Sequence, residues 1–195
     1  MPLAKIEEVQ DVLADFEVRI RGVVERAWAD WKEVPGRGRF MFSRTRSNIV
    51  FDFICQHAAV EFADDPEIHV IEKGGTLQFL FRDRILVRFK KGNAKGIGSN
   101  IETQAVLEFI DPQLMIPGLP EVHKVEACYK TDALGTQLEQ LAIVARNRTR
   151  RIWSYVIDGT APAAEVILIP TGPTPDTSPP VVTPKRRGTG AKVAE

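Results

Sequence analysis

Arg84-Ile-Leu-Val-Arg-Phe-Lys-Lys91, followed by Gly92-Asn-Ala-Lys-Gly-Ile-Gly-Ser99, carries the densest one-sign charge in the middle of the chain. Ile85, Val87 and Phe89 alternate with Leu86, Arg88 and Lys90, the period of two of a strand with one apolar and one mostly charged face. The glycines at 92, 96 and 98 permit a tight loop or close approach of an anion. Ser99 with Glu102 fits a capping box, so a helix is expected over 100–110, stopped by Asp111-Pro112. Two readings stand open for this stretch. One is a hairpin edge strand whose lysines prevent edge-to-edge pairing. The other is an anion or nucleic-acid contact. The spacing is neither that of a P-loop nor that of a dinucleotide fingerprint.

The flanking segments extend the same pattern. Before the central strand, Ile68–Glu72 and Thr76–Phe81 read as two strands joined by Gly74-Gly75, and Arg82-Asp83 makes a second tight turn. After the helix, Met115–Pro120 is expected as an extended crossover. A second three-strand run follows over His123–Thr131, Gln137–Ala145 and Arg150–Ile157. Upstream, Ile6, Val9, Leu13, Phe16, Ile20, Val23, Ala27 and Trp31 form one apolar stripe on a long helix over residues 3–33. A second helix is expected from about Ser47 to Phe62. The fold class is therefore α+β: two helices, then two antiparallel three-stranded meanders separated by a short helix. The expected organisation is an N-terminal helix over 1–34, a globular domain over 35–158, and a disordered Pro/Thr-rich basic tail over 159–195, within which Val166–Ile169 allows one short strand.

Composition sets outer limits. The 195 residues are 44% hydrophobic, and 26 Lys+Arg balance 26 Asp+Glu. Net charge is thus silent about nucleic acid, and only charge distribution speaks. No apolar run is long enough for a transmembrane helix, and the N-terminus does not read as a signal peptide, so a cytoplasmic location without membrane contact is expected. Cys55 and Cys128 are expected as buried, unpaired thiols.

The candidate anion-binding residues are Arg84, Arg88, Lys90, Lys91 and Lys95 centrally, Arg44 and Arg46 upstream, and Arg148 and Arg150 at a hairpin tip. They belong to three basic clusters at 37–46, 82–95 and 146–151. In the first, Phe40 and Phe42 stand among arginines, as single-stranded nucleic acid requires: cations for phosphates and rings for bases. Two docked Phe in a solvated linker is the plainer alternative. No metal-ligand spacing joins His57, His69 and His123 to the cysteines, and no cofactor is implied.

Arg88-Phe89-Lys90-Lys91, Ser99-Asn100, Thr103-Gln104, Leu119-Pro120 and Trp153-Ser-Tyr155 together resemble a family of small bacterial proteins. Members are encoded beside helix-turn-helix repressor and zinc-metallopeptidase genes in mobile-element, toxin–antitoxin or phage-defence settings. The resemblance covers residues 47–157 and implies a context and a partner protein from the same operon, with no catalytic residues to carry over. The leading expectation is a non-enzymatic component binding that partner, with DNA or RNA as a second ligand. Two alternatives remain. One is a nuclease-like or nucleotide-acting toxin, since the order helix, three strands, helix, strand is also that of PD-(D/E)XK nucleases. In that scheme Asp83 and Lys90 take the metal and lysine roles, although Arg88 occupies the place of an acidic ligand. The other is a dimeric scaffold, a homodimer through residues 3–33.

Overall fold

A computed structural model describes residues 4–73, 75–98, 104–111 and 122–157. The expected tail over 159–195, the Met115–Pro120 crossover and the Ser99/Glu102 capping box lie outside the described residues. The long N-terminal helix consists of α1 (Ile6–Leu13), a 3₁₀ turn (Ala14–Phe16) and α2 (Glu17–Glu33). After a 3₁₀ turn at Arg37–Arg39, α3 runs over Ser43–Phe62, starting four residues earlier than the expected Ser47. The strands are β1 (Ile68–Lys73), β2 (Thr76–Phe81), β3 (Ile85–Lys91), β4 (His123–Thr131), β5 (Leu138–Asn147) and β6 (Arg150–Val156), with α4 (Gln104–Ile110) between β3 and β4.

Both antiparallel meanders are present, and they form one sheet in the order β1-β2-β3-β4-β5-β6. The join is parallel: β3 pairs with β4 from Ile85↔His123 to Lys91↔Tyr129. This corrects the edge-strand reading of residues 84–91. β3 lies at the centre of the sheet, and its first five residues are buried. Arg82 and Asp83 take φ of 47° and 52° in a tight turn closed by the Arg84 amide, which donates to the Phe81 carbonyl at 3.0 Å.

The inner face carries Phe79, Phe81, Val87, Phe89, Val125, Tyr129, Leu141, Ile143 and Tyr155, packed against α1 to α3 in the main core. All eight residues of the N-terminal apolar stripe are buried in that core. The stripe is thus covered by the chain's own sheet and helices. Two bonds tie the N-terminal helix to the last strand and its end: Trp153 Nε1 donates to the Ala4 carbonyl at 2.7 Å, and Arg21 Nη1 to that of Ile157 at 2.8 Å. No helix among the described residues is long and apolar enough to cross a membrane.

The outer face is covered differently. Over β2 and β3, Phe109 and Ile110 of α4 pack with Leu80, Leu86 and Val122. Farther across, Ile97 of the loop after β3 covers Cys128 and Val144. Lys124 Nζ donates to the carbonyls of Glu108 (2.6 Å) and Asp111 (3.0 Å), placing a cation at the carbonyl end of α4.

Candidate anion site on the outer sheet face

Charge on the outer face is organised around Glu126. Arg88 and Glu126 lie opposite one another in the β3–β4 register, which sets their side chains on the same face. Arg88 Nη2 approaches Glu126 Oε1 at 2.5 Å and Nε approaches it at 3.1 Å. Arg146 of β5 reaches the same carboxylate, with Nη1 3.3 Å from Oε2. The Gly98 amide donates to Oε2 at 3.0 Å. Glu126 is fully buried, Arg88 is 3% exposed and Arg146 8%. The Arg88 guanidinium lies 4.1 Å over the Phe109 ring. Burial alone raises the Glu126 carboxyl, but the two guanidiniums and the Gly98 amide outweigh it, and its pKa sits below the usual range. Burial lowers the Arg88 pKa, opposed by Glu126.

Next to this triad is a cavity of about 280 Å³, lined by Ala94, Lys95, Gly96, Cys128, Lys130, Gln140, Ala142, Arg151, Ser154 and Val156. Among the described residues no carboxylate lines it. Arg151 arrives there through a strand irregularity. Ala145 pairs with Trp153 but Arg146 pairs with Arg151, so Ile152 is an extra residue on β6. Without that bulge, Arg151 and Trp153 would share the inner face. The loop is shaped by Asn93, whose Oδ1 accepts from the amides of Lys95 (2.8 Å) and Ile97 (3.3 Å). Cys128 is buried, and desolvation pushes its thiol well above the ordinary value, so it is no nucleophile. His57 instead bonds Asp30 at 2.6 Å, and His123 faces Glu8 at 3.4 Å. His123 lies on the inner face, opposite to Cys128, so the two do not form a nucleophile–base pair.

The nine candidate residues fall in different environments. Arg88 is enclosed in the triad and presents no surface to a ligand. Lys90 is half-buried with Nζ 5.5 Å from the Phe51 ring centre, and burial and then Arg88 lower its pKa. Lys91 is half-buried and lowered by burial and by Arg46. Arg46 donates to the Gly135 carbonyl at 2.9 Å, docking the start of α3 on the β4–β5 turn. Arg44 is exposed and lies 5.0 Å over its neighbour Phe42. Arg148, with φ 51°, pairs with Asp111 at 3.0 Å and secures the end of α4. Arg84 and Arg150 are exposed, and only Lys95 lines the cavity. By strand direction, the Arg46 docking site and the Arg148 turn lie at opposite ends of β5, so the three clusters form no single surface.

The residues that sequence reasoning missed are Glu126 and Lys130; Arg151 stood in the 146–151 cluster, read there as part of a hairpin tip and not of this cavity. Lys130 was legible as the outward partner of Glu126 and Cys128 in the alternation of β4. Glu126 and Arg151 depended on a long-range pairing and on a bulge. The nuclease assignment meets a geometric obstacle. Asp83 sits in the β2–β3 turn beside His69 at 3.2 Å, whereas Lys90 lies near the far end of β3, on the order of 15–20 Å along the strand. These two side chains do not share a metal. Among the described residues no group of three His, Cys, Asp or Glu is placed to hold one.

Comparison with protein-family models, with curated proteins and with solved structures gives no match to this chain.

Proposed function

We propose that the protein is a non-catalytic binding component whose segment 37–46 takes single-stranded nucleic acid. One observation carries this reading: Phe40, Met41 and Phe42 are 42, 88 and 58% exposed in the midst of Arg37, Arg39, Arg44 and Arg46. No acidic residue occurs between Glu33 and Asp52. Among the described residues, none of these arginines forms an ion pair. Arg46 donates to the carbonyls of Leu134 and Gly135. Exposed rings beside guanidiniums are what stacked bases and a phosphate backbone require. Phe40 also sits 6.0 Å from Trp31 in a tilted ring pair, which anchors one end of the segment.

A partner protein is the second reading. Met41 and Leu134 favour it: both are more than 80% exposed, apolar and unable to stack a base. The toxin–antitoxin or defence context, and a partner from the same operon, rest on the family resemblance.

The test is fluorescence anisotropy of the full chain with labelled 20-mers, single- and double-stranded, across a salt series. Single strands are expected to bind more tightly than duplexes. Joint Phe40→Ala and Phe42→Ala replacement should weaken single-strand binding by about tenfold or more, at ~1–3 kcal/mol per stacked base. Replacing Arg37 and Arg39 should flatten the log–log salt slope by about 0.7 per lost phosphate contact. Binding of single strands unchanged by both sets of replacements would overturn the proposal and leave the protein-partner reading.

A further inference from the structure

We infer that the outer-face cavity beside Glu126 is a binding site for a small phosphate monoester. The cavity is independent of segment 37–46, and its argument rests on different residues. Lys95, Lys130 and Arg151 line it together with Ser154 and Gln140, whose hydroxyl and amide are hydrogen-bond donors. None of the three cations forms an ion pair among the described residues, and Arg151 Nε is buried without a hydrogen-bond partner. A buried guanidinium nitrogen left unbonded costs free energy that an oxyanion would recover.

The glycine at 96 fixes the focus of the site. Its φ is +74°, and a Cβ there would stand 2.9 Å from Arg151 Nη1 and 3.6 Å from Lys130 Nζ. Two cations from different strands therefore converge on one point of the loop. Among the described residues no carboxylate pairs with them: the buried acid of the adjoining triad, Glu126, is already shared by Arg88 and Arg146. Like charges brought this close and left uncompensated repel each other, and a dianion would reverse the sign of that energy. The amides of Lys95 and Ile97 are already bonded to Asn93, so side-chain cations define the site, not backbone amides.

Charge and size narrow the ligand. A phosphate monoester carries about −1.5 to −2 at pH 7, against −1 for the diester inside a nucleic-acid strand, and so matches three cations better. A volume of about 280 Å³ lies at the lower bound of small-molecule sites, enough for a mononucleotide or the terminal nucleotide of a strand.

The experiment is isothermal titration of the full chain with inorganic phosphate, sulfate and a nucleoside 5′-monophosphate, joined by anisotropy with 5′-phosphorylated and 5′-hydroxyl oligonucleotides. The expected result is saturable binding of phosphate and of the nucleoside 5′-monophosphate, the latter weakening as pH falls through about 6, where the monoester dianion takes up a proton. Sulfate, with no such proton, should bind without that dependence. Lys130→Met and Arg151→Met should each weaken phosphate about tenfold or more at an unchanged circular dichroism spectrum. Lys32→Met, on the helical side, should have no effect. Stronger binding of the nucleotide than of phosphate points to a free nucleotide, and a preference for the 5′-phosphorylated strand points to a strand end; either outcome supports the site. Absence of saturable binding by any of the phosphates, or binding indifferent to both cavity replacements, would overturn it. Neither result bears on the Phe40 and Phe42 variants.

Discussion

Replacing Glu126 by glutamine keeps the shape of the side chain and one carbonyl acceptor while removing the negative charge that Arg88 and Arg146 share. Both guanidiniums are at least nine-tenths buried, so water compensates little of what is lost. Breaking a buried ion pair by removing one partner costs about 3–5 kcal/mol, and here one carboxylate serves two cations, which places the cost toward the upper part of that range. A domain whose total stability is about 5–15 kcal/mol would lose a large fraction of it. With a urea m value of about 2 kcal/mol/M, the midpoint should fall by roughly 2 M. Equilibrium urea unfolding followed by tryptophan fluorescence reads this directly. The pH dependence supplies an internal check. The folded-state pKa of Glu126 is depressed, so its contribution is present above the unfolded value of about 4.3 and is lost as pH falls through the lower folded value. The native midpoint should therefore hold steady above about pH 5 and drop below it, and the Glu126→Gln protein should lack that part of the drop. The triple change Arg88→Met, Glu126→Leu, Arg146→Met removes every charge of the triad and should cost less than Glu126→Gln alone, since apolar replacement of a buried ion network is often near neutral. If Glu126→Gln unfolds within about 1 kcal/mol of the native chain, the triad is solvated and the electrostatic reasoning built on it fails.

Gly98→Ala places a methyl 2.7 Å from Glu126 Oε2 and 2.8 Å from Lys90 Cβ, so the loop must shift and release the Gly98 amide from the carboxylate. A loss of about 1–3 kcal/mol by thermal or urea unfolding is expected. Trp153→Phe deletes the bond to the Ala4 carbonyl and should cost about 1 kcal/mol, with faster hydrogen exchange confined to α1. Both thiols should resist alkylation in the native chain at pH 8. Burial pushes Cys55 up to about 11, so its labelling rate should climb only as pH approaches that value, and Cys128 should label only after unfolding.

The strand positions were legible because period-two alternation and tight turns are local signals. Gly75 and the Arg82-Asp83 pair take positive φ at these turns. The 3–4 spacing from Ile6 to Trp31 likewise announced a one-sided helix. What lay beyond reach was anything set by pairing between distant residues. Arg88 and Lys90 alternate on one face, as in a solvated edge strand, and nothing local to them says that Glu126 stands opposite. The parallel β3–β4 pairing that puts it there is a tertiary fact. For the same reason the cavity was half visible. Lys95 sits in a conspicuous basic run, whereas Lys130 is one of two well-separated lysines in its strand, and Arg151 reaches the outer face only through the bulge at Ile152.

The bonds from Trp153 to Ala4 and from Arg21 to Ile157 also govern how the chain is made. They join the first described helix to the last described strand, so neither forms until residue 157 has left the ribosome. At ~5–20 residues per second the first helix waits about 6–25 s for that strand. During that interval α3 is the early neighbour available to shield the stripe from Ile6 to Trp31, and the part destined for β4 to β6 faces solvent. The newborn chain therefore presents an apolar helix face to holding chaperones, and depleting these should lower the yield of the protein even though the finished fold keeps that face buried.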